Sequence, residues 1–324
     1  MILKLGNKNE SVKHLQEILN FLQGSNLLVD GHFGDKTKTE VVLFQKTNGL
    51  SIDGVIGRNS LRTVRELLQK AYNFVVFLDE GHGSIYKGRY STFDKYRGKF
   101  KEFEGVLFKH WDEYPNMFCE GVFNRIVGTK LETAIKKQGI QVVKVGRDWD
   151  NKLENRVYLA ERHIHQTDCS GLFLSQHSNA GSGGIAEGII AFTTRGENYS
   201  DECSQHILSE LDKKDVFKRM WLHTRINRAL PYVWNKNRKD YFDTSSDHER
   251  NFRVIFGMDQ QPSRNRVGAV LMEYGFFDNL KDAKFISRED VINEYVDALT
   301  KAIVTIQDNV NRKISILANY FKTP

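Results

Sequence analysis

A chain of 324 residues, 40% of them hydrophobic, has room for about two domains with cores of their own, which excludes a disordered tail. Its 47 Lys and Arg against 41 Asp and Glu leave a formal charge of +6, suited to an anionic partner: a wall polymer, a membrane surface or a nucleic acid. Cys119, Cys169 and Cys203 are odd in number, widely spaced and free of any Cys-x-x-Cys pair. They argue against a disulfide framework and a thiolate metal site, and for folding in a reducing compartment.

Met1 leads into Ile2, Leu3 and Leu5 and then a polar run to Glu10, with no long apolar segment and no small-residue cleavage site. No stretch reaches the roughly 20 apolar residues that span a bilayer. The expectation is a soluble product made in the cytoplasm, without stable membrane insertion.

Residues 1–70 read as a small all-α domain of three helices. Val12, Leu15, Gln16, Ile18, Leu19 and Leu22 line one face of the first helix, and Val41, Val42, Phe44 and Gln45 the buried side of the second. An internal repeat organises the region: Asp30-Gly31-His32-Phe33-Gly34 recurs as Asp53-Gly54-Val55-Ile56-Gly57, with Thr37 and Val41 recurring as Ser60 and Val64. Asp-Gly favours a tight turn, and Thr37 and Ser60 are then expected to cap the helices that follow. These residues, with Leu3-Lys4-Leu5-Gly6 and Gly49-Leu50, resemble the peptidoglycan-binding domain found on many cell-wall hydrolases, over about residues 3 to 68. A bundle that only spaces or stabilises its neighbour would share most of these core positions.

Helical periodicity stops between Lys70 and Asn73 with almost no linker, and residues 74–324 form the second predicted domain, at a restricted angle to the first. There, strands at 74–79, 140–145, 171–175, 187–193 and 268–274 alternate with helical patterns at 117–138, 152–166, 201–213, 216–230 and 290–309. The predicted class is α/β, with a largely parallel sheet flanked by helices. Lys136 and Lys137 before Gly139 end one helix and place Glu120 at its start.

Three apolar runs each lead to a residue able to bind metal or move a proton: Phe74–Leu78 before His82, Gly171–Leu174 before His177, and Ala269–Met272 before Glu273. In an open α/β sheet the loops beyond the strand carboxyl ends lie side by side, so such residues can share one crevice. A zinc hydrolase needs imidazoles or carboxylates on three positions and a water on the fourth. His82, Glu120 and His177 can supply the three, and Glu273 can act as general base and acid. Taken singly, each histidine is more often a hydrogen-bonded loop residue and Glu273 an ordinary edge carboxylate; their joint placement carries the signal.

These islands resemble the zinc-dependent N-acetylmuramoyl-L-alanine amidases of the type 3 family. The resemblance spans about residues 74 to 286, through Leu78-Asp79-Glu80-Gly81-His82-Gly83, Glu120 with Phe123-Asn124-Arg125, and Arg147-Asp148-x-Asp150 with Leu153–Arg156 and Ala160. Ser175–Ala180 and Met272-Glu273-Tyr274-Gly275-Phe276-Phe277-x-Asn279 complete it. It implies zinc on His82, Glu120 and His177, catalysis by Glu273, and bacterial peptidoglycan as partner. It also implies cleavage between N-acetylmuramic acid and L-alanine. With no export signal read, a bacteriophage endolysin is expected, made in the host cytoplasm and acting on the wall once the membrane is opened. A bacterial autolysin, a zinc peptidase acting within the stem peptide, and a non-catalytic wall-binding protein are the alternatives; nucleic-acid binding ranks below them.

Glu80 departs from the family pattern and is expected to bring an extra carboxylate near the metal. The segment 84–117 is longer than usual, and its Glu104-Gly105-Val106 imitates Glu120-Gly121-Val122, so both carboxylates are candidates for the middle ligand; the order of the following elements favours Glu120. Aromatics and cations interleave from Tyr86 to Phe100, as in an inserted hairpin or a binding groove. Arg238, Arg250, Arg253, Arg264 and Arg266 are candidates to cover an anionic substrate or are solvated charge. His163 and His165 are expected at the surface, and Gly181–Gly184, without a following Lys-Ser/Thr, is a loop and not a nucleotide site.

Overall fold

The computed structural model describes residues 2–86, 89–91, 100–108, 116–146, 152–180, 182–184, 187–193, 198–220 and 253–320. Helices α1 (Glu10–Gln23), α2 (Asp35–Thr47) and α3 (Arg58–Ala71) come first. Their two Asp-Gly turns are held in the same way. Gln16 Nε2 donates to Asp30 Oδ1 at 2.9 Å and its Oε1 accepts from the Gly31 N–H at 2.9 Å. Gln45 repeats this with Asp53 Oδ1 at 2.7 Å and the Gly54 N–H at 2.9 Å. One buried amide per repeat thus closes a turn whose glycine takes a φ of 74° or 69°, a region costly for other residues.

Thr37 and Ser60 do not cap the helices. Gly34 and Gly57 occupy the cap positions, and Thr37 lies inside the first turn, where its hydroxyl accepts from Gln16 Nε2 at 3.2 Å. The buried amide competes for the hydroxyl that the capping expectation assigned to the backbone.

The second part is built on β1 (Phe74–Glu80), which directly follows α3. Two short antiparallel pairs come next: β2 (Ser84–Tyr86) with β3 (Arg89–Ser91), and β4 (Phe100–Glu102) with β5 (Met117–Cys119). Residues 87, 88 and 92–99 of the aromatic and cationic run lie outside the described residues. Then come α4 (Glu120–Lys137), β6 (Gln141–Lys144), α5 (Leu153–Thr167), β7 (Ser170–Asn179), β8 (Ile190–Phe192), α6 (Tyr199–Asp212) and α7 (Asp215–Met220). After 221–252, which lie outside the described residues together with Arg238 and Arg250, follow α8 (Arg253–Asp259), β9 (Val267–Phe276), α9 (Leu280–Ile286) and α10 (Glu289–Asn319).

The main sheet has the order β6-β1-β7-β9-β8, parallel except for the edge strand β8. Side chains alternate across it. Val76, Leu78, Leu172, Leu174, Val270 and Met272 pack in one cluster with Val127, Leu131, Ile207, Leu299 and Ile303 of α4, α6 and α10. On the other face Val75, Phe77, Phe173, Ala269 and Leu271 pack with Ala160 and Ile164 of α5 and Val254 and Ile255 of α8. His163 is half-buried there, edge-on to Phe77, and is not the free surface residue expected; His165 is exposed. No helix among the described residues is long and apolar enough to cross a membrane.

The first cluster also includes Leu15 and Leu19 of α1, so a single apolar core runs through both parts of the chain. α10 extends ten residues past the predicted end because Val310, Ile314 and Leu317 continue its buried face beside α1 and α3. The arginines before β9 complete the junction. Arg264 Nη2 donates to the Gly24 carbonyl at 2.8 Å, Asn265 Nδ2 to the Asn20 carbonyl at 2.7 Å, and Arg266 to the carbonyls of Leu22 and, at 3.2 Å, Cys169. The carbonyls of Asn20, Leu22 and Gly24 are ones that α1 leaves without partners at its C-terminus, and that of Cys169 lies between α5 and β7. A Cβ on Gly24 would lie 2.8 Å from the Pro262 carbonyl oxygen, so glycine permits the approach. Arg264 and Arg266 are therefore structural here, and Arg266 is buried.

Removing that guanidinium leaves buried carbonyls unpaired. Arg266→Ala is expected to lower unfolding free energy by about 2–3 kcal/mol in denaturant titration. Calorimetry of the wild type should show one cooperative transition across both parts; two separate transitions would contradict a shared core.

Candidate metal centre

The sheet register sets the centre. β1 and β7 run in parallel with Glu80 opposite Gln176, and β7 and β9 with His177 opposite Glu273. Partners in a parallel pair project from the same face, so His177 and Glu273 emerge side by side at the carboxyl ends of their strands. β1 ends just before Gly81, whose N–H donates to the Gln176 carbonyl at 2.9 Å. A Cβ on Gly81 would fall 2.2 Å from His177 Cε1, so glycine leaves room for that ring. His82 follows with a φ of 55°, left-handed backbone that a non-glycine residue adopts only when its surroundings hold it there.

α4 begins at Glu120, on the far side of the same crevice. Glu120 Oε1 accepts from the Ser178 N–H at 3.0 Å, lies 3.0 Å from His177 Nδ1 and 3.7 Å from His82 Nε2. The two imidazoles meet edge to face, with centroids 4.9 Å apart. The three side chains each offer one ligand atom, all within 4.8 Å of one another. Exposure rises from 2% at the Glu120 side chain to 11% at His177 and 32% at His82, so the group opens to solvent on the His82 side. Burial pushes the Glu120 carboxyl up, but His82, His177 and the Ser178 N–H together outweigh it, and its pKa is lowered. The carboxylate stays charged.

Two imidazole nitrogens and one carboxylate oxygen match the donor set of a zinc site with an open fourth position. Ligand atoms about 2.0–2.1 Å from a tetrahedral centre lie about 3.3 Å apart, and the 3.0 and 3.7 Å separations bracket that value. The residues fit a divalent cation.

Glu273 is buried on β9 next to His177 and stands outside the three-residue group. Glu104 is exposed in a turn, and Glu102, also exposed, accepts from Asn116 at 2.6 Å. Neither belongs to the group. Glu80 does not add a carboxylate to it either. Strand alternation points Glu80 under the sheet, where it pairs with Lys144 at 2.9 Å and packs against Gly128 of α4. Burial raises its pKa, with Lys144 opposing. Arg147, Asp148 and Asp150 lie outside the described residues.

A supporting network escaped sequence reasoning. Asp79 accepts from Arg156 Nη1 at 2.9 Å and from Ser175 Oγ at 2.6 Å, tying β1, β7 and α5 together just before both histidines. Its signal was a charged residue inside an apolar strand, which a buried partner must compensate.

Residues 76–305 match the family model described as N-acetylmuramoyl-L-alanine amidase. The chain belongs to this family. Residues 8–64 of the amidase match the model of a peptidoglycan binding domain. Among solved structures it is similar to the N-acetylmuramoyl-L-alanine amidase from Clostridium difficile 630, at 20% identity over 73% of this chain and 98% of that one, with a TM-score of 0.45. It is similar also to the catalytic domain of the amidase CwlV from Bacillus (Paenibacillus) polymyxa var. colistinus, at 20% identity over 72% and 98%, TM-score 0.44. A third is the catalytic domain of an endolysin targeting Clostridia difficile, at 14% over 72% and 97%, TM-score 0.41.

Beyond Glu273 the amidase chain is held by Asp282, whose Oδ2 accepts from the N–H groups of Phe276 and Gly188, both at 3.0 Å. Burial pushes its pKa up to about 7 despite these two donors. A carboxyl raised in the folded state stabilises fully below its unfolded value near 4, and the contribution is lost as pH rises towards 7. Asp282→Asn keeps an acceptor and removes the charge. Its Tm relative to wild type should be more favourable at pH 8 than at pH 5; an equal difference at both would contradict the assignment.

Proposed function

We propose that this amidase is a zinc enzyme that cleaves the amide between the lactyl group of N-acetylmuramic acid and L-alanine. The observation that carries the proposal is the convergence of His82, Glu120 and His177 in a chain belonging to the amidase family. A zinc ion bound by these three residues would supply Lewis acidity, polarising the scissile carbonyl and lowering the pKa of water to about 7. Glu120 keeps its charge through the contacts that outweigh its burial, and so remains a ligand rather than a proton carrier. Glu273, on the neighbouring strand, takes the proton from the attacking water and delivers it to the leaving nitrogen of L-alanine. The family's peptidoglycan substrate and the binding-domain match at residues 8–64 support a role for the three-helix part in holding the enzyme on the wall.

As to biology, we propose an endolysin, made in the host cytoplasm and reaching the wall after the membrane opens. A peptidoglycan-binding-domain match joined to an amidase supports the wall-lytic part of this reading. An autolysin would share both parts, and is distinguished by causing lysis without any agent that opens the membrane from inside.

Muropeptide analysis tests the reaction. Digestion should free the amino group of L-alanine and leave the glycan intact; new termini within the stem peptide would contradict it. Glu273→Gln should lower kcat by about 100-fold or more while zinc content stays at wild-type level. Wall-suspension clearing that chelator and Glu273→Gln both leave unchanged, with no bond cleaved in the digest, would favour a non-catalytic wall-binding protein.

A further inference from the structure

We propose that Asn124 and Arg125 are positioning residues that hold the Gly81–His82–Gly83 segment in the conformation presenting His82 to the metal; this rests on the zinc reading above. Three consecutive backbone carbonyls of that segment are taken by two adjacent side chains of α4. Asn124 Nδ2 donates to the Gly81 carbonyl at 3.0 Å, Arg125 Nη1 to the His82 carbonyl at 2.5 Å, and Arg125 Nη2 to the Gly83 carbonyl. Arg125 Nη1 also donates to the carbonyl of Gly121, one turn back on its own helix, at 2.8 Å, which fixes the direction of the guanidinium. Both side chains are buried.

The left-handed backbone of His82 explains why a fork is needed. A residue with a φ of 55° is strained and would relax if its neighbours let go, swinging the imidazole away from Glu120. A planar guanidinium can bind two successive carbonyls at once, whereas a lysine ammonium is a single point of charge and does not reproduce that geometry. Glu120 opens the same helix and the clamp lies one turn further on, so one rigid element carries a ligand and the device that sets the opposing histidine. The 3.7 Å separation between His82 Nε2 and Glu120 Oε1 is thus governed within α4 and the segment it holds.

The test is zinc affinity of the full-length protein, stripped of metal and titrated with zinc against a competing chelator, well below the Tm of every variant. Arg125→Ala is expected to weaken zinc binding by about ten- to a hundredfold. Arg125→Lys, which keeps the charge but not the fork, should recover little of the loss, and soluble guanidinium should partly restore Arg125→Ala. If Arg125→Ala does not fold, Asn124→Ala reads the same quantity, with a loss of about tenfold expected. Folded variants binding zinc within twofold of wild type would overturn the clamp alone. A wild-type protein that takes up no zinc would overturn the metal reading on which the clamp rests.

Discussion

A carboxylate removed from water must be compensated, and the architecture around the crevice follows from how Glu120 is compensated. Its charge sits at the first turn of α4, where the helix dipole favours an anion, and it accepts from the Ser178 N–H. Two imidazoles converge on the same oxygen. Each of these contacts depends on a longer-range feature: the β1–β7 register for His177, the bare Cα of Gly81 for room, and the held left-handed turn for His82. The Asp79–Arg156–Ser175 network secures the strand ends that carry both histidines. The arrangement that makes the buried charge tolerable is also the donor set a divalent cation requires.

The other constraint is at the opposite end of the sheet. The three-helix part meets the chain around Ser170 and Arg266, at the start of β7 and β9, while the metal-competent group lies at their ends. At about 3.3 Å per residue, seven residues from Ser170 to His177 separate the two by roughly 23 Å. The helices are docked through a continuous core and capped carbonyls, so their orientation relative to the crevice is set by packing. The separation between the three-helix part and the metal-competent group is thus set by the length of the sheet.

Much of the fold was legible because its signals are local. Apolar runs such as Phe74–Leu78 and Ala269–Met272 read as buried strands, as they are, and the polar or charged residues following them marked the carboxyl edge of the sheet. His82, His177 and Glu273 were visible as candidates for that reason, and Glu120 as the start of the helix that Lys136, Lys137 and Gly139 end. The choice between Glu120 and Glu104 was not local: the two tripeptides read alike, and tertiary placement buries one at a helix start and leaves the other in an exposed turn. Glu80 was misplaced because adjacency to Gly81 and His82 suggested proximity, whereas strand alternation sends it beneath the sheet to Lys144. Arg264 and Arg266 read as free charge because their acceptors are carbonyls some 240 positions away. Thr37 failed as a cap because a distant glutamine claimed its hydroxyl. The short helices α8 and α9 carry too few turns for periodicity to register.

The most direct test of the central claim is anomalous diffraction at the zinc edge from crystals of the full chain grown with stoichiometric zinc. One strong peak within bonding distance of His82 Nε2, Glu120 Oε1 and His177 Nδ1 is predicted, about 2.0–2.1 Å from each. A peak coordinated by Glu104 in place of Glu120, or no peak at the three side chains, would contradict the account.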